Sequence, residues 1–184
     1  MKYVVLVGDG MGDYPVPELG NKTVLQAADI PNMRRLAGAG RVAMVSTVPP
    51  ELPPGSDVAN LSMLGYNPGE NYTGRAPIEA AGAGIALRPQ DVAFRCNLVT
   101  VENGVMADYS AGHISTEEAH QLIAAIDQQL GKPGLKFHGG VSYRHLLVWD
   151  KGPVDIATTP PHEISDKPAG PHQPAGQRQN DVRR

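Results

Sequence analysis

The sequence predicts an α/β protein in two parts: a partial parallel sheet with its crossover helix, then a smaller inserted α+β lobe. Three observations carry this. A short apolar run opens the chain, and a helical segment and a second apolar run follow it. Beyond about residue 90 the pattern changes to hairpins. One long helix with its own capping signal sits between those hairpins. The expected organisation is therefore residues 1–90 for the first lobe, 91–165 for the inserted lobe and 166–184 for a return linker.

Residues 3–7 are apolar and β-branched and end at Gly8, the pattern of a parallel strand buried on both faces. Asp29-Ile30-Pro31-Asn32-Met33, running on to Gly38, offers an acidic N-cap candidate, an early proline and a terminal glycine, which predicts a helix. Residues 41–47 read as the next strand, and the order β-α-β implies a right-handed crossover between parallel neighbours. The four prolines of residues 48–55 exclude regular structure there. Ser56-Asp57 then supplies N-cap chemistry for a helix through about Leu64.

In the second part, residues 91–101 and 105–109 are β-rich and flank Asn103-Gly104, a strong short-range hairpin signal. Ser115-Thr116-Glu117-Glu118 is a capping box, and Ala119, Leu122, Ile123, Ile126 and Leu130 follow at helical spacing before Gly131. Residues 135–137 and 141–149 predict two more strands about Gly139-Gly140, completing a β-β-α-β-β unit. From Pro160 onward proline, glycine, glutamine and charge dominate. Asn180 would cap a helix that the sequence does not go on to write, so the chain reads as cut short. An incomplete sheet exposes apolar edge, from which association or domain swapping is expected.

Composition bounds the function. Of 184 residues, 41% are hydrophobic and 19% charged, enough apolar content to build a core. No apolar run approaches the roughly 20 residues of a membrane span, and Met1 leads straight into a strand pattern, so the reading is cytoplasmic with no membrane partner. Cys96 is the only cysteine, which excludes an intrachain disulfide framework. The net charge of -3, without any basic run, argues against nucleic acid.

The chemistry-bearing residues begin at Val7-Gly8-Asp9-Gly10-Met11-Gly12-Asp13. These glycines do not make a dinucleotide fingerprint, because Asp13 stands where its third glycine belongs. A carboxylate at the carboxyl end of a first parallel strand either caps a turn or holds a divalent cation, and Asp9 admits both readings. Ser56, in Pro53-Pro54-Gly55-Ser56-Asp57, is either an ordinary N-cap or a nucleophile whose phosphoryl adduct the helix N-terminus would stabilise.

Asp9 paired with Ser56 resembles the alkaline phosphatase superfamily. The surrounding words are closer to one branch of it: Pro54-Gly55-Ser56-Asp57-Val58-Ala59-Asn60, Tyr72-Thr73-Gly74-Arg75-Ala76-Pro77-Ile78-Glu79-Ala80-Ala81-Gly82, Asp108-Tyr109-Ser110-Ala111-Gly112-His113-Ile114 and Pro160-Pro161-His162-Glu163-Ile164-Ser165-Asp166-Lys167. With the Gly8–Asp13 word they look like the archaeal-type, cofactor-independent phosphoglycerate mutases, over about the first half of that family's length. The resemblance implies a metal-dependent phosphatase-like domain with a substrate-binding cap inserted after the serine. The implied activity is interconversion of 3-phosphoglycerate and 2-phosphoglycerate through a phosphoserine, in glycolysis and gluconeogenesis.

By that resemblance Asp9 ligates one of two divalent ions (manganese, zinc or magnesium), and Ser56 is both nucleophile and ligand. The family's remaining Asp and His ligands have no counterpart after His162. Arg75 in Gly74-Arg75-Ala76-Pro77 and Arg144 in Ser142-Tyr143-Arg144-His145 fall in family-like words and would grip the phosphate and carboxylate of a small phosphorylated acid. His113, and His162 with Asp166 and Lys167, would contact the same substrate. Arg88 and Arg95 read as solvated surface arginines, and His120, His138 and His172 as structural or solvated. Two other outcomes follow from the same words: a homoserine kinase-like or phosphonopyruvate decarboxylase-like member, or a non-catalytic binding fragment.

Overall fold

A computed structural model describes residues 1–176, which divide into two compact units, residues 1–72 and the described residues from Thr73 onward. Helix starts in the first unit follow local chemistry. α1 (Val24–Ala27) opens on a capping box between Thr23 and Gln26. α2 (Pro31–Ala39) starts on its proline, with Ile30 rather than Asp29 at the cap position and no side-chain cap bond. α3 (Ser56–Met63) follows the proline-rich loop, and α4 (Pro68–Asn71) is capped by Asn67, whose side chain accepts from the Gly69 N–H at 3.1 Å. Val58 of α3 and Pro68 of α4 are buried.

The expected parallel sheet is not formed: residues 3–7 and 41–47 are not strands, and every ladder among the described residues is antiparallel. A strand exists only where a neighbour satisfies its N–H and C=O groups, and a both-faces-apolar pattern needs cover on each side. These two runs have neither. Val4, Leu6 and Met44 are 89%, 90% and 99% exposed. A tie at the end of the second run is the Ser62 hydroxyl of α3, which donates to the Thr47 carbonyl at 2.6 Å.

The second unit is built on a three-stranded antiparallel sheet in the order β1 (Asp91–Asn97), β5 (Arg144–Asp150), β4 (Leu135–Val141). α5 (Arg75–Gly82) packs Ala76 and Ala80 on Leu146, with Ile85, Leu87 and Ala93 around them. That contact joins α5 to the sheet, so the units divide between Tyr72 and Thr73, where the sequence expectation sets a boundary at residue 90. α6 (Thr116–Leu130) starts at the Ser115–Glu118 capping box and lies against β4, burying Ala119 and Ile123.

Two strand expectations change. Residues 91–101 are not one strand: β1 ends at Asn97 and pairs with β5, while β2 (Thr100–Glu102) turns through Asn103-Gly104 into β3 (Val105–Asp108). Asn103 and Gly104 both have positive φ, 50° and 79°, as a tight hairpin turn requires. Gly139-Gly140 is not a turn either. It forms an irregularity inside β4, and the chain reverses at Ser142-Tyr143. A Cβ at Gly140 would collide with the Arg144 carbonyl oxygen, so close backbone approach explains that glycine. β6 (Ile156–Ala157) and β7 (Ala175–Gly176) form a minimal ribbon, and Asn180 lies outside the described residues. Among the described residues no helix is long and apolar enough to cross a membrane.

Candidate functional site

Ser56 is the first residue of α3, but it is not the cap. Gly55 occupies that position in extended conformation, without a side-chain cap bond. The Ser56 hydroxyl is thereby left for another partner, and it donates to Asp9 Oδ2 at 3.1 Å. A β-carbon at Gly55 would meet the Asp57 carboxylate, the end of a side chain that would have to shift. Asp57 itself accepts a hydrogen bond from the Tyr72 hydroxyl at 2.7 Å, and Asp13 accepts from the N–H of its neighbour Tyr14. Two sequence-distant residues named for the same chemistry, Asp9 and Ser56, are thus in contact.

Carboxylate and hydroxyl oxygens suit a hard divalent cation. As donors Asp9 and Ser56 fit that group, and they are two. Among the described residues no three His, Cys, Asp or Glu side chains come together to complete a metal site.

In the second unit, Asp108 at the end of β3 organises the loop that carries His113. Its Oδ1 accepts from the Ser110 N–H and hydroxyl, both at 2.7 Å, and its Oδ2 accepts from the Gly112 N–H at 2.6 Å. The Ser110 hydroxyl bond, then the two backbone N–H bonds, hold the Asp108 carboxyl below its ordinary range. Buried Ser110 also accepts from the His113 N–H at 3.2 Å. Ala111, Gly112 and His113 are consecutive left-handed residues, with φ of 51°, 69° and 56°. Each non-glycine residue in that region costs about 1–2 kcal/mol, and the Asp108–Ser110 clamp offsets the cost. His113 lines a recess of about 620 Å³, with Ser115, Glu118 and Leu122 on its walls.

Arg144 and His162 are linked through two tyrosines. The Arg144 guanidinium lies 4.7 Å from the centre of the Tyr143 ring and donates to the Tyr143 hydroxyl at 2.8 Å. Tyr109 meets Tyr143 edge-on at 5.9 Å and His162 at 6.2 Å. Neither tyrosine is among the residues the sequence singles out, although Tyr143 stands beside Arg144 and Tyr109 four residues before His113. Asp166, at φ 62°, donates its N–H to the Met106 carbonyl at 2.9 Å. The Lys167 ammonium donates to the Glu163 carbonyl at 3.1 Å, so both residues support the segment around His162 through backbone bonds.

Arg75, the first residue of α5, donates from Nε to Glu79 Oε1 at 2.8 Å. Arg95 is not the solvated arginine that was expected: its side chain is 25% exposed and its Nε lies 3.2 Å from Glu79 Oε2. Arg88 is paired as well, to Asp91 at 2.8 Å and Asp150 at 3.2 Å. His120 Nε2 is 2.8 Å from the Gly140 carbonyl oxygen, a structural contact.

Residues 37–184 match the family described as 2,3-bisphosphoglycerate-independent phosphoglycerate mutase. A relative of that name from Methanosarcina barkeri is 54% identical over 177 residues, covering 96% of this chain and 44% of the relative. A solved cofactor-independent phosphoglycerate mutase from Thermoplasma acidophilum superposes with a TM-score of 0.50 at 32% identity, over 95% of this chain and 47% of that one. A solved chain from Pyrococcus horikoshii gives a TM-score of 0.62 at 35% identity, over 78% of this chain and 35% of that one. The chain therefore spans under half the length of these relatives, and it belongs to the 2,3-bisphosphoglycerate-independent phosphoglycerate mutase family.

Proposed function

We propose that this chain carries the nucleophile and the substrate-binding lobe of a phosphoglycerate mutase that interconverts 3-phosphoglycerate and 2-phosphoglycerate in the cytoplasm. The observation that carries the reading is the Ser56 hydroxyl, unused as a helix cap and bonded to Asp9. In the forward direction Ser56 Oγ gives up its proton and attacks phosphorus, and the bond to the substrate's 3-oxygen breaks as that oxygen takes a proton in its place. The glycerate then reorients and its 2-oxygen attacks the phosphoserine, releasing Ser56. At the start of α3 the phosphoryl group meets the first backbone N–H groups of the helix and the positive end of the helix dipole.

Divalent metal held in part by Asp9 and Ser56 would supply the activation that a bare serine hydroxyl lacks. Arg75 and Arg144 bind the acid's charged groups while it turns. His113 and His162 stand on preformed loops as the groups able to give and take the hydroxyl proton, with Asp166 and Lys167 shaping the His162 segment. Residues 3–7 and 41–47 are read as strands of a parallel, alkaline phosphatase-type sheet. Their apolar content and exposure support this, as does the greater length of the relatives. Residues 91–165 form the cap in this reading.

Fusing the chain to the portion of the Methanosarcina barkeri relative that it does not match tests the proposal directly. Interconversion of the two phosphoglycerates with manganese or magnesium, lost on Ser56→Ala, is the expected result. A Ser56→Ala fusion that keeps full activity would end the proposal.

A further inference from the structure

We infer that Arg95 is a further anion-binding residue, held in place by Glu79, and that Arg75, Arg95 and Arg144 make one anion-binding face on the sheet of the second unit. The inference rests on the proposed function only for its ligand, a small acid bearing both phosphate and carboxylate.

β1 and β5 pair without a register shift, so Arg95 stands opposite Leu146 and Asn97 opposite Arg144. Leu146 packs on Ala76 and Ala80 of α5, which identifies the α5 side of the sheet. Residues two apart on a strand share a face, so Arg95, Asn97 and Arg144 are on that side too. Arg95 and Arg144 are diagonal cross-strand neighbours, a relation that sets their Cα atoms roughly 7–8 Å apart, within reach of one small ligand for such long side chains.

Glu79 joins the third arginine to the pair. Its Oε1 takes Arg75 Nε at 2.8 Å and its Oε2 faces Arg95 Nε at 3.2 Å, an ion pair that falls short of a hydrogen bond. One carboxylate holding two guanidiniums by Nε leaves their terminal nitrogens available as a fork for phosphate or carboxylate. Three arginines against one glutamate leave two positive charges at this end of the face. The acids at the other end, Asp91 and Asp150, are already taken by Arg88. Between Arg95 and Arg144, Asn97 Oδ1 is buried without a partner, an acceptor for a ligand hydroxyl.

A purely structural Arg95 would predict a change in stability and nothing else. The 184-residue chain, labelled for observation of arginine Nε–H resonances, is titrated with 3-phosphoglycerate and separately with inorganic phosphate. Arg75, Arg95 and Arg144 should shift together and saturate at one concentration. Arg95→Lys, which keeps the charge and the fold but loses the fork, should weaken 3-phosphoglycerate at least about tenfold with its melting temperature little changed. Glu79→Gln should weaken it less and broaden the Arg95 resonance. If Arg75 and Arg144 shift while Arg95 stays still, or if Arg95→Lys binds as tightly as wild type, the inference is overturned and the mutase reading survives. If inorganic phosphate shifts all three and 3-phosphoglycerate shifts none, the face stands and the substrate reading fails. Absence of any shift with either anion overturns the inference.

Discussion

Ser56 and Ser115 both stand at helix starts, and replacing each with alanine should give opposite results. Ser115 is a working cap. Its hydroxyl accepts from the Glu118 N–H at 3.2 Å and donates to Glu118 Oε2 at 2.8 Å, and Glu118 reaches back to the Ser115 N–H. Ser115→Ala removes this reciprocal box, a loss of about 1–2 kcal/mol. That is roughly a 5- to 30-fold fall in the protection of amides in Thr116–Leu130 against hydrogen exchange. Ser56→Ala removes no cap, because Gly55 holds that position, and the hydroxyl's partner Asp9 is exposed. A substitution of this kind changes stability by no more than about 0.5 kcal/mol, so protection in Ser56–Met63 should fall less than about 3-fold.

Native-state hydrogen exchange on the two variants reads both numbers, helix by helix. Equal loss of protection in the two helices would show that Ser56 is spent on its own helix. Its contact with Asp9 would then be incidental, and the case for a nucleophile would go with it.

Two further outcomes follow from the same structure. His145 is 1% exposed and its Nδ1 accepts from the Gly140 N–H at 3.0 Å; burial first, and His120 second, hold its ring below the ordinary histidine range. The unfolded chain therefore takes up the proton first as pH falls. Stability is full above about pH 6.5 and declines on acidification by up to about 1.4 kcal/mol per pH unit, and melting curves of His145→Gln should show a shallower acid dependence than wild type. Parallel curves for the two would contradict that role. Calorimetric titration of the chain with manganese or magnesium should show weak binding, reduced by Asp9→Asn, and 3-phosphoglycerate turnover should stay far below the roughly 10 s⁻¹ typical of enzymes, because two ligands leave the ion most of its waters. Turnover near that typical rate would mean that the described ligands suffice.

How much of this was legible in the sequence depended on how local the cause was. The Asn103-Gly104 turn and the Ser115–Glu118 box need only neighbours within four residues, and both form. Gly139-Gly140 carried a true signal with two meanings, since glycine marks either a turn or a close approach; the Arg144 carbonyl decides for the second. Arg95 was read as solvated because its partner is fixed by the packing of α5 on β1, which no short window contains. Ser56 was open between cap and nucleophile, and only the position of Gly55 separates them. Residues 3–7 and 41–47 have the composition of buried strands, yet composition supplies no neighbour.

Arg75, Arg144, His113 and His162 are each held by contacts within their own unit: Glu79, Tyr143, the Asp108–Ser110 clamp and the Tyr109 ring. In the proposed mutase, recognition of an acid is therefore built from contacts local to that unit. Asp9 has no such support. It follows a run whose backbone groups enter no ladder among the described residues, and its contact with Ser56 is a single bond between exposed groups. A hydrogen bond of that kind contributes about 1 kcal/mol at most, too little to fix a carboxylate to the fraction of an ångström that phosphoryl transfer demands. Pairing of residues 3–7 into a sheet would fix Asp9 through the backbone instead. In the proposed mutase, then, strand pairing is a condition of catalysis as well as of stability, because the carboxylate that meets the nucleophile ends that strand.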